Sequence, residues 1–434
     1  MSEAYLKEFE TLSGAATAEG PEWLDPVRRG AMDRFTQVGF PTPRQEEWRF
    51  TPVASIAQGA WRPAGARVEE VSREQLVPFL FDHPEWCTLV FVNGEYAPAL
   101  STPGSPPRGV VVTNLGEALR NGGDLLQRHL TRLARIEESP FTALNTALFR
   151  DGGLVHVPPG VDLALPVHLL FVTTAEASGS VVHPRNLIVV ERNARASVIE
   201  SYVTLAEGTR YWINPVTEVW TGANSWVEHT RIQRESENAF HVASTEVEVS
   251  RDSHYRSFSM AMGAGLARHN LHARLASEHA EALLYGLYVV RGEQLVDNHT
   301  VLYHDHPNGH SWEVYKGILD GHSRAVFNGK VFVRPEAQKT NAKQTNRNLV
   351  LSDHAKVDTK PQLEIFADDV KCTHGATVGR LDDLALFYAR SRGVPAEAAE
   401  RLLTYAFAAE VIEEVALEPV RHELERLVRE RLGQ

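Results

Sequence analysis

The hydrophobic pattern of the chain changes twice along its length. In residues 1–150 it is mixed and partly helical: the stretch "PEWLDPVRRGAMDRFTQVGF" repeats apolar residues at helical spacing and stops at Gly39. The stretch "CTLVFVNGEYAPAL" predicts a β-hairpin, because Asn93 and Gly94 tolerate the positive φ that a type I′ turn requires. We therefore predict a mixed helical N-terminal domain over residues 1–150.

Residues 151–379 carry short β-branched and aromatic stretches between polar turns, which predicts an all-β core. A polar turn followed by an apolar strand entry recurs there at uneven spacing, at residues 193–198, 222–227, 252–258, 278–283, 320–326 and 352–357. An imperfect repeat of this kind is typical of a parallel β-helix, in which each coil buries its inner face by stacking on its neighbours. A large β-sandwich or barrel is the alternative that the pattern leaves open.

Residues 380–434 return to helical periodicity and predict a C-terminal helical domain. Its last segment, "EPVRHELERLVRERL", forms an apolar stripe from Val420 to Leu432 with a densely charged opposite face. A stripe of this kind either packs against its own domain or binds a partner. The pattern leaves both uses open.

Composition and charge indicate a folded, acidic protein. Apolar residues make up 43% of the 434 positions, charged residues make up 23%, and the net charge is −12. A nucleic-acid or anionic membrane partner would need a concentrated basic face, and none is visible. The stretch "MSEAYLKEFETLSGAATAEG" has acidic residues where a secretory signal would be basic, and no run approaches the roughly 20 apolar residues of a membrane-spanning helix. We therefore predict a cytoplasmic protein.

Several enzyme motifs are missing from the sequence. The Gly-Lys pair in "GHSRAVFNGKV" lacks the spacing of a phosphate-binding loop, so we expect this chain to bind no nucleotide. No nucleophile elbow, zinc-protease helix or dinucleotide fingerprint occurs either. These absences favour a protein that is not itself an ATPase.

The richest group of ionisable residues is the stretch "VDNHTVLYHDHPNGHSWE". Alternate positions of a strand share a face, so imidazoles and carboxylates of this stretch could bind a divalent metal; its ionisable residues are Asp297, His299, His304, Asp305, His306 and His310. The opposing interpretation is a solvated polar ladder with an exposed turn at residues 307–309. We keep His299 and His306 as weak metal candidates.

Cys372 and His374 stand two positions apart, in "DDVKCTHGATVG". On a strand both side chains leave the same face, about 6.5 Å apart along the chain. An iron–sulfur cluster takes four protein ligands, mostly thiolates, and Cys87 is the only other cysteine. This chain cannot complete such a site alone; a buried thiol beside a structural histidine, or a thiol nucleophile with His374 as base, are the alternatives.

The stretches "VFNGKVFV" and "AQKTNAKQTNRNLVLSDHAKVDTKPQLEIFADDVKCTHGATVGRLDDLALFYARSRGV" closely resemble the SufB/SufD family of iron–sulfur cluster assembly scaffolds. The stretch "GFPTPRQEEWRFTPV" resembles that family's N-terminal signature. The glycine in "THGATVG", where the SufB branch typically has a glutamate, favours the SufD branch, and so does the scarcity of cysteine.

The resemblance implies a mainly β fold: a right-handed parallel β-helix core over residues 151–379, flanked by the N-terminal mixed helical domain (1–150) and the C-terminal helical domain (380–434). It implies a non-enzymatic scaffold subunit that pairs with a SufB-like subunit and binds a SufC-like ATPase through its C-terminal helices. ATP binding would then draw two ATPase subunits together and distort the SufB–SufD interface. A homodimer of the isolated chain stays open.

The resemblance also implies site residues. His374 is the stronger ligand candidate, and Cys372 the weaker one, for a transient iron–sulfur cluster shared with the partner subunit. For ATPase docking we expect a set of apolar residues of the C-terminal helices: Leu384, Phe387, Tyr388, Leu403, Phe407 and Val411. A metal-dependent β-helix enzyme acting on a polymer, or a β-solenoid interaction protein without inorganic chemistry, are the alternative functions.

Overall fold

The computed structural model describes residues 5–11, 20–64, 71–81 and 83–433. The N-terminal stretch on which the absence of a secretory signal was predicted lies largely outside these ranges. Among the helices in the described ranges, none is both long enough and apolar enough to cross a membrane. These α-helices are α1 (5–11), α2 (Leu24–Val38), α3 (Ala54–Ala57), α4 (Arg73–Leu76), α5 (Leu115–Asn121), α6 (Asp124–His129), α7 (Pro140–Leu148), α8 (Asp383–Ser391), α9 (Ala396–Ile412) and α10 (Glu418–Arg431).

The strands form two long sheets. Sheet A runs in the order β21-β19-β17-β15-β13-β11-β8-β5-β4, with three short strands at its side. Its members are β1 (Arg62–Pro63), β4 (Val111–Asn114), β5 (Gly153–Val157), β7 (Ser180–Val182), β8 (Arg185–Val190), β10 (Trp212–Ile213), β11 (Val216–Thr221), β13 (Phe240–Val249), β15 (Leu266–Leu275), β17 (Leu295–His304), β19 (Arg324–Val333) and β21 (Lys356–Ile365).

Sheet B runs in the order β22-β20-β18-β16-β14-β12-β9-β6-β2-β3. Its members are β2 (Cys87–Val92), β3 (Glu95–Tyr96), β6 (Val167–Thr173), β9 (Arg195–Thr204), β12 (Trp226–Arg234), β14 (His254–Ala261), β16 (Glu281–Val290), β18 (His310–Leu319), β20 (Asn341–Val350) and β22 (Lys371–Gly379). From β5 onward the main strands alternate between the two sheets, one strand of each per coil.

This alternation makes a parallel β-solenoid of eight coils within the described residues, from the pair β5 and β6 to the pair β21 and β22. The register shows the length of a coil: Leu266 pairs with Leu295, a step of 29 residues, and the neighbouring steps differ by a few residues. All pairs between successive coils are parallel, which excludes the sandwich and barrel alternatives. The main apolar core lies between the sheets, as coil stacking requires.

One corner of the solenoid explains why the repeat looked irregular. Six residues there adopt the left-handed conformation, with φ between 55° and 63°: Asn193, Asn224, Asp252, His279, Asn308 and Lys339. The backbone N–H of each donates to a carbonyl of the next coil, as in Asn193 N to Ala223 O at 2.9 Å. The first four predicted copies lie on this corner, but those at 320–326 and 352–357 lie on the opposite corner. The predicted series was therefore wrong in mixing two corners and omitting the turns at Asn308 and Lys339.

The N-terminal region covers the outer face of sheet A. Helices α2 and α7 pack there through an aromatic-rich cluster that includes Phe35, Phe141 and Trp212. A fully buried ion pair joins the two parts: Arg185 on β8 contacts Glu218 on β11 at 2.6 Å, and Glu218 accepts backbone hydrogen bonds from the segment after α6. The predicted hairpin is confirmed as β2 and β3, but it extends sheet B instead of forming a unit of its own.

The C-terminal helices α9 and α10 cover the outer face of sheet B. The stripe of α10 is buried against that sheet at Val420, Leu424 and Val428, so this stripe packs on its own protein. Polar contacts reinforce the packing, because Lys316 on β18 donates to the carbonyl of Phe407 at 2.8 Å. Helix α8 differs, since none of its residues is buried.

The two ends of the solenoid differ. At the first end, short antiparallel strands terminate both sheets: β4 pairs with β5, and β3 pairs with β2. At the other end the sheets stop at β21, of ten residues, and β22, of nine. No further strand pairs with either of them in the described part of the chain. We call the end formed by β21 and β22 the open end.

Candidate functional site at the open end

Cys372 and His374 both lie on β22, and both face the interior of the solenoid. Their register partners on β20 are Ala342 and Gln344, which are fully buried between the sheets. The predicted sharing of one face is therefore confirmed. Because no further coil of the described chain stacks on β22, this inner face is uncovered at His374, which is exposed.

The two potential donors differ in availability. Cys372 is half-buried and packs against the inner apolar core. Burial raises the pKa of its thiol, so the neutral thiol is favoured over the thiolate that binds metals. The imidazole of His374, in contrast, binds a metal as the neutral ring, so it does not depend on the deprotonation of a buried thiol such as that of Cys372. His374 is consequently the better-placed donor of the pair.

Backbone groups at the open end also point outward. The N–H of Lys371 donates to Thr340 O at 2.8 Å, toward β20. Since N–H groups alternate in direction along a strand, those of Cys372 and His374 point to the free edge. On β21 the same alternation places the nitrogen of Pro361 at the free edge, where its missing N–H removes no hydrogen bond to β19.

Apolar side chains surround this edge. Ile365, Phe366 and Val378 are exposed at 37%, 58% and 52%, next to the end of the inner core. Natural sheets usually protect a long edge with short strands, charges or a covering segment. At the first end of the solenoid short strands give this protection, whereas at the open end both edge strands are long and the protection comes from Pro361 and from exposed lysines such as Lys356 and Lys371.

The second cysteine belongs to a different place. Cys87 is buried on β2, and eight strand spacings of about 4.8 Å separate β2 from β22, which puts the two cysteines about 38 Å apart. A disulfide between them is excluded by that distance. Cys87 therefore adds no donor to the open end.

The histidines of residues 297–310 are not brought together. His299 lies on the outer face of sheet A, where its Nε2 is 3.0 Å from Asp297 Oδ1 and its Nδ1 is 3.3 Å from Glu47 Oε2. His304 points inward and bonds the hydroxyl of Ser311, and His306 is exposed on the turn. Within the described residues, no group of three or more histidine, cysteine, aspartate or glutamate side chains is arranged to hold a metal ion. His299 and His306 thus share no site.

Comparison with known proteins identifies the family to which this chain belongs. Residues 171–407 match the family model described as the SUF system FeS cluster assembly, SufBD core domain, and residues 1–169 match the SufBD protein N-terminal region. The chain belongs to the SufBD family of iron–sulfur cluster assembly proteins.

Relatives span nearly the full length of this SufBD family member. A SufBD family protein of Synechocystis is 35% identical over 431 residues, which cover 97% of this chain and 94% of that protein. The iron–sulfur cluster assembly protein SufD of Escherichia coli is 32% identical, with 96% and 94% covered. SufD of Bacillus subtilis is 28% identical, with 98% and 96% covered.

The residues expected to dock an ATPase divide into two groups in this SufBD protein. Leu384, Phe387 and Tyr388 project from α8 and are exposed at 73%, 69% and 60%. Val411 is buried against sheet B at 1%, and its side chain belongs to the protein's own core. Including Val411 was wrong, because helical periodicity does not tell which side of α9 faces the sheet. Leu403 and Phe407 are partly buried, and Phe407 packs against the same core.

Sequence reasoning missed the polar residues behind His374. Glu313 on β18 and Gln344 on β20 are fully buried and occupy the same inner column as His374 on β22. The signal was available in the alternation of "HSWEV" and "NAKQT", where a charged or amide residue takes an inward position. An alternating pattern does not say which of its two faces is the inner one.

Burial makes the carboxyl group of Glu313 a weaker acid and raises its pKa to about 7. The neighbouring side chains of Thr300 and Gln344 act in the opposite direction and limit the rise. In the unfolded chain the ordinary value of 4.5 applies. We expect the stability of the wild type to fall as pH rises from about 4.5 to 7, because only the folded state retains the proton in that range. The loss is about 3 kcal/mol, at 1.36 kcal/mol per pKa unit.

Urea unfolding of wild type and Glu313→Gln at pH 5, 6, 7 and 8 measures this effect. The variant lacks the titrating group, so its stability relative to the wild type should rise by most of that amount, about 2.5 kcal/mol, between pH 5 and pH 8. Glu336→Gln, which alters an exposed carboxylate on a turn, is the matched control. Parallel pH profiles of wild type and Glu313→Gln would contradict the raised pKa.

Proposed function

We propose that this SufBD protein is the SufD-type scaffold subunit of a heteromeric assembly complex. It pairs with a SufB-like subunit through the open end and binds a SufC-like ATPase through α8, and it hydrolyses no ATP itself. The observation that supports this proposal best is the open end, where two long edge strands, with no further strand paired to them in the described residues, lie beside an incomplete set of metal donors.

A second solenoid of the same family is the natural partner for this end. Strand addition to an exposed edge supplies the missing backbone hydrogen bonds, and apolar side chains such as Phe366 and Val378 then become buried. The partner's own end would face Cys372 and His374. A cysteine-richer chain is favoured over a second copy, because a copy would add only another half-buried thiol, whereas clusters are held mostly by thiolates.

His374 is the ligand that this chain would contribute to the nascent cluster, which is the cargo of the complex. The imidazole is exposed at the interface, and histidine can replace thiolate at some cluster positions. Cys372 would have an accessory or structural role, since burial keeps its thiol neutral.

Replacement of His374 by alanine tests the ligand role. We expect His374→Ala to lower the yield of iron and acid-labile sulfide severalfold after anaerobic reconstitution with SufB-like and SufC-like subunits. Assembly should persist, because His374 supplies only one side chain of a large interface. Gel filtration verifies assembly, and replacing the exposed turn residue His306 by alanine is the control. An unchanged cluster yield would rule the ligand role out.

The pairing surface is tested by a charge at the open end. Val378→Glu places a carboxylate where the partner would bury an apolar side chain, so we expect at least tenfold weaker binding of the SufB-like subunit, a loss of about 1.4 kcal/mol or more. Val77→Glu alters a valine of similar exposure (61%) in the N-terminal region and should bind normally. Equal affinities of the two variants, measured by titration calorimetry, would place the interface elsewhere.

ATPase docking is assigned to α8, because Leu384, Phe387 and Tyr388 have the spacing of one helical face and are all exposed. The neighbouring α9 is fixed to sheet B through Lys316, Phe407 and Glu410. A pull on α8 by closing ATPase subunits would therefore reach β18, two strands from His374, and change the open end. Through this coupling, a movement caused by ATP hydrolysis would be transmitted to the cluster site.

Truncation of the central aromatic residue tests this docking face. We expect Phe387→Ala to weaken binding of the SufC-like ATPase by about tenfold to a hundredfold, the range of interface hot spots. Leu165→Ala, at an exposed apolar residue of the solenoid, is the control. Surface plasmon resonance with the immobilised ATPase reports both affinities, and equal values would contradict docking at α8.

A metal-dependent enzyme on the solenoid is not favoured. Its candidate histidines lie on different faces, and a cavity of about 620 Å³ beside His299 has a lining of opposed charges that includes Glu46, Glu47 and Lys360. Lys360 and Glu46 pair with each other, and Glu47 lies beside His299. These charges are thus engaged within the protein.

A further inference from the structure

Three successive coils place a carboxylate, a carboxamide and an imidazole in one inner column. Glu313 pairs in register with Gln344, and Gln344 pairs with His374. Neighbouring strands are about 4.8 Å apart, so side chains of one column contact one another. The column runs from the closed interior, where Glu313 and Gln344 are fully buried, to the open end.

The amide of Gln344 is held in one orientation. Its Nε2 donates to Glu313 Oε2 at 2.7 Å. The amide extends across the interior to Gly329 on β19, where an added Cβ would lie 2.1 Å from Nε2, so a side chain at position 329 would displace the amide from this position. With the nitrogen engaged on the side of Glu313, the oxygen is the free end of the amide.

That oxygen has no hydrogen-bond partner among the described residues, although it is fully buried. A buried acceptor without a donor costs about 1–3 kcal/mol, so natural structures rarely leave one unused. On the far side of Gln344 from Glu313, the next side chain of the column is His374. The imidazole is a donor of the required kind.

Histidines that bind metals have a known requirement. One ring nitrogen presents its lone pair to the metal, and the other donates its N–H to an oxygen that fixes the tautomer and the orientation of the ring. Among the described residues, no carboxylate or backbone group is hydrogen-bonded to the ring of His374. The free oxygen of Gln344 meets the need for a second partner.

We infer that Gln344 and Glu313 are positioning residues for His374. In this structure Gln344 Oε1 is unpartnered and the His374 side chain is exposed; rotation of that side chain brings one imidazole N–H to Gln344 Oε1, and Glu313 fixes the amide so that its oxygen stays available. The other imidazole nitrogen then presents its lone pair to the open end, where the cluster would form. This inference rests on the proposed function for its biological purpose, but the tautomer itself is a property of the isolated chain.

The tautomer is measured on the full chain with ¹⁵N-labelled histidine at pH 8.5, where imidazole is neutral. Long-range ¹H–¹⁵N spectra distinguish protonated from unprotonated ring nitrogens, and His374→Gln identifies the signals of His374. We expect one tautomer in the wild type. Gln344→Leu removes the acceptor and Glu313→Met removes the anchor, and both should give the averaged signals of a freely solvated ring.

Two matched variants separate positioning from a general structural role. Glu313→Gln keeps an acceptor for Gln344 Nε2 and should retain the single tautomer. Asn346→Leu removes another fully buried amide from the same face of β20, where it bonds Tyr288, and should also leave the His374 signals unchanged. Averaged signals in the wild type, or a single tautomer in Gln344→Leu and Glu313→Met, would overturn the inference.

Cluster reconstitution distinguishes this inference from the proposed function. Gln344→Leu should lower the cluster yield by about tenfold, the lower end of the range for residues that orient a metal ligand. If His374→Ala lowers the yield but Gln344→Leu changes neither yield nor tautomer, the positioning role is wrong and the ligand role survives. If His374→Ala has no effect while the tautomer responds to Gln344→Leu, the ligand role fails and the hydrogen bond stands.

Discussion

The structure depends on the stacking of coils, because a single coil of this solenoid cannot bury its own inner face. Each strand finds half of its backbone partners in the coil before and half in the coil after, so every interior coil is complete and a terminal coil is not. The two ends differ: β3 and β4 close the first one with short antiparallel strands, while no strand of the described residues pairs with the outer edges of β21 and β22. The open end is a consequence of where the coils stop, and it supplies an edge, an apolar rim and an accessible inner face together.

The interior of this solenoid carries more than apolar packing. Glu200 accepts hydrogen bonds from Tyr202 and Thr217 and pairs with His229 at 3.0 Å, and all of these groups are buried. Burying a charge is tolerable only when its hydrogen-bonding groups are satisfied. Near the open end not all buried groups are satisfied, since Glu313 Oε1 and Gln344 Oε1 lack hydrogen-bond partners in the described structure. Unpartnered polar atoms occur elsewhere in the interior as well, for example Glu235 Oε1, but those near the open end lie on the column that ends at His374.

Pattern reasoning was sufficient for elements whose surroundings are local. The hairpin at Asn93-Gly94, the helices and the shared face of Cys372 and His374 depend on short-range geometry, so the sequence predicted them. It failed where a choice depends on distant parts of the chain. The alternation of polar and apolar residues could not say which corner a turn occupies, which side of α9 meets sheet B at Val411, or which face of β20 holds Gln344. Each of these choices is fixed by packing across the solenoid.

The position of the donor pair follows from the same stacking argument. A complete metal site within one coil would bind its cargo whether or not a partner were present. In the proposed complex, a half-site on the last coil would be completed only by the chain that also completes the strand edges, so pairing and ligand supply would depend on one contact. Lys316 connects that end of sheet B to α9, which lets a movement of the C-terminal helices alter the same contact. Under the proposed function, placing His374 at the open end would therefore make cluster binding conditional on assembly and would make cluster release accessible to the ATPase.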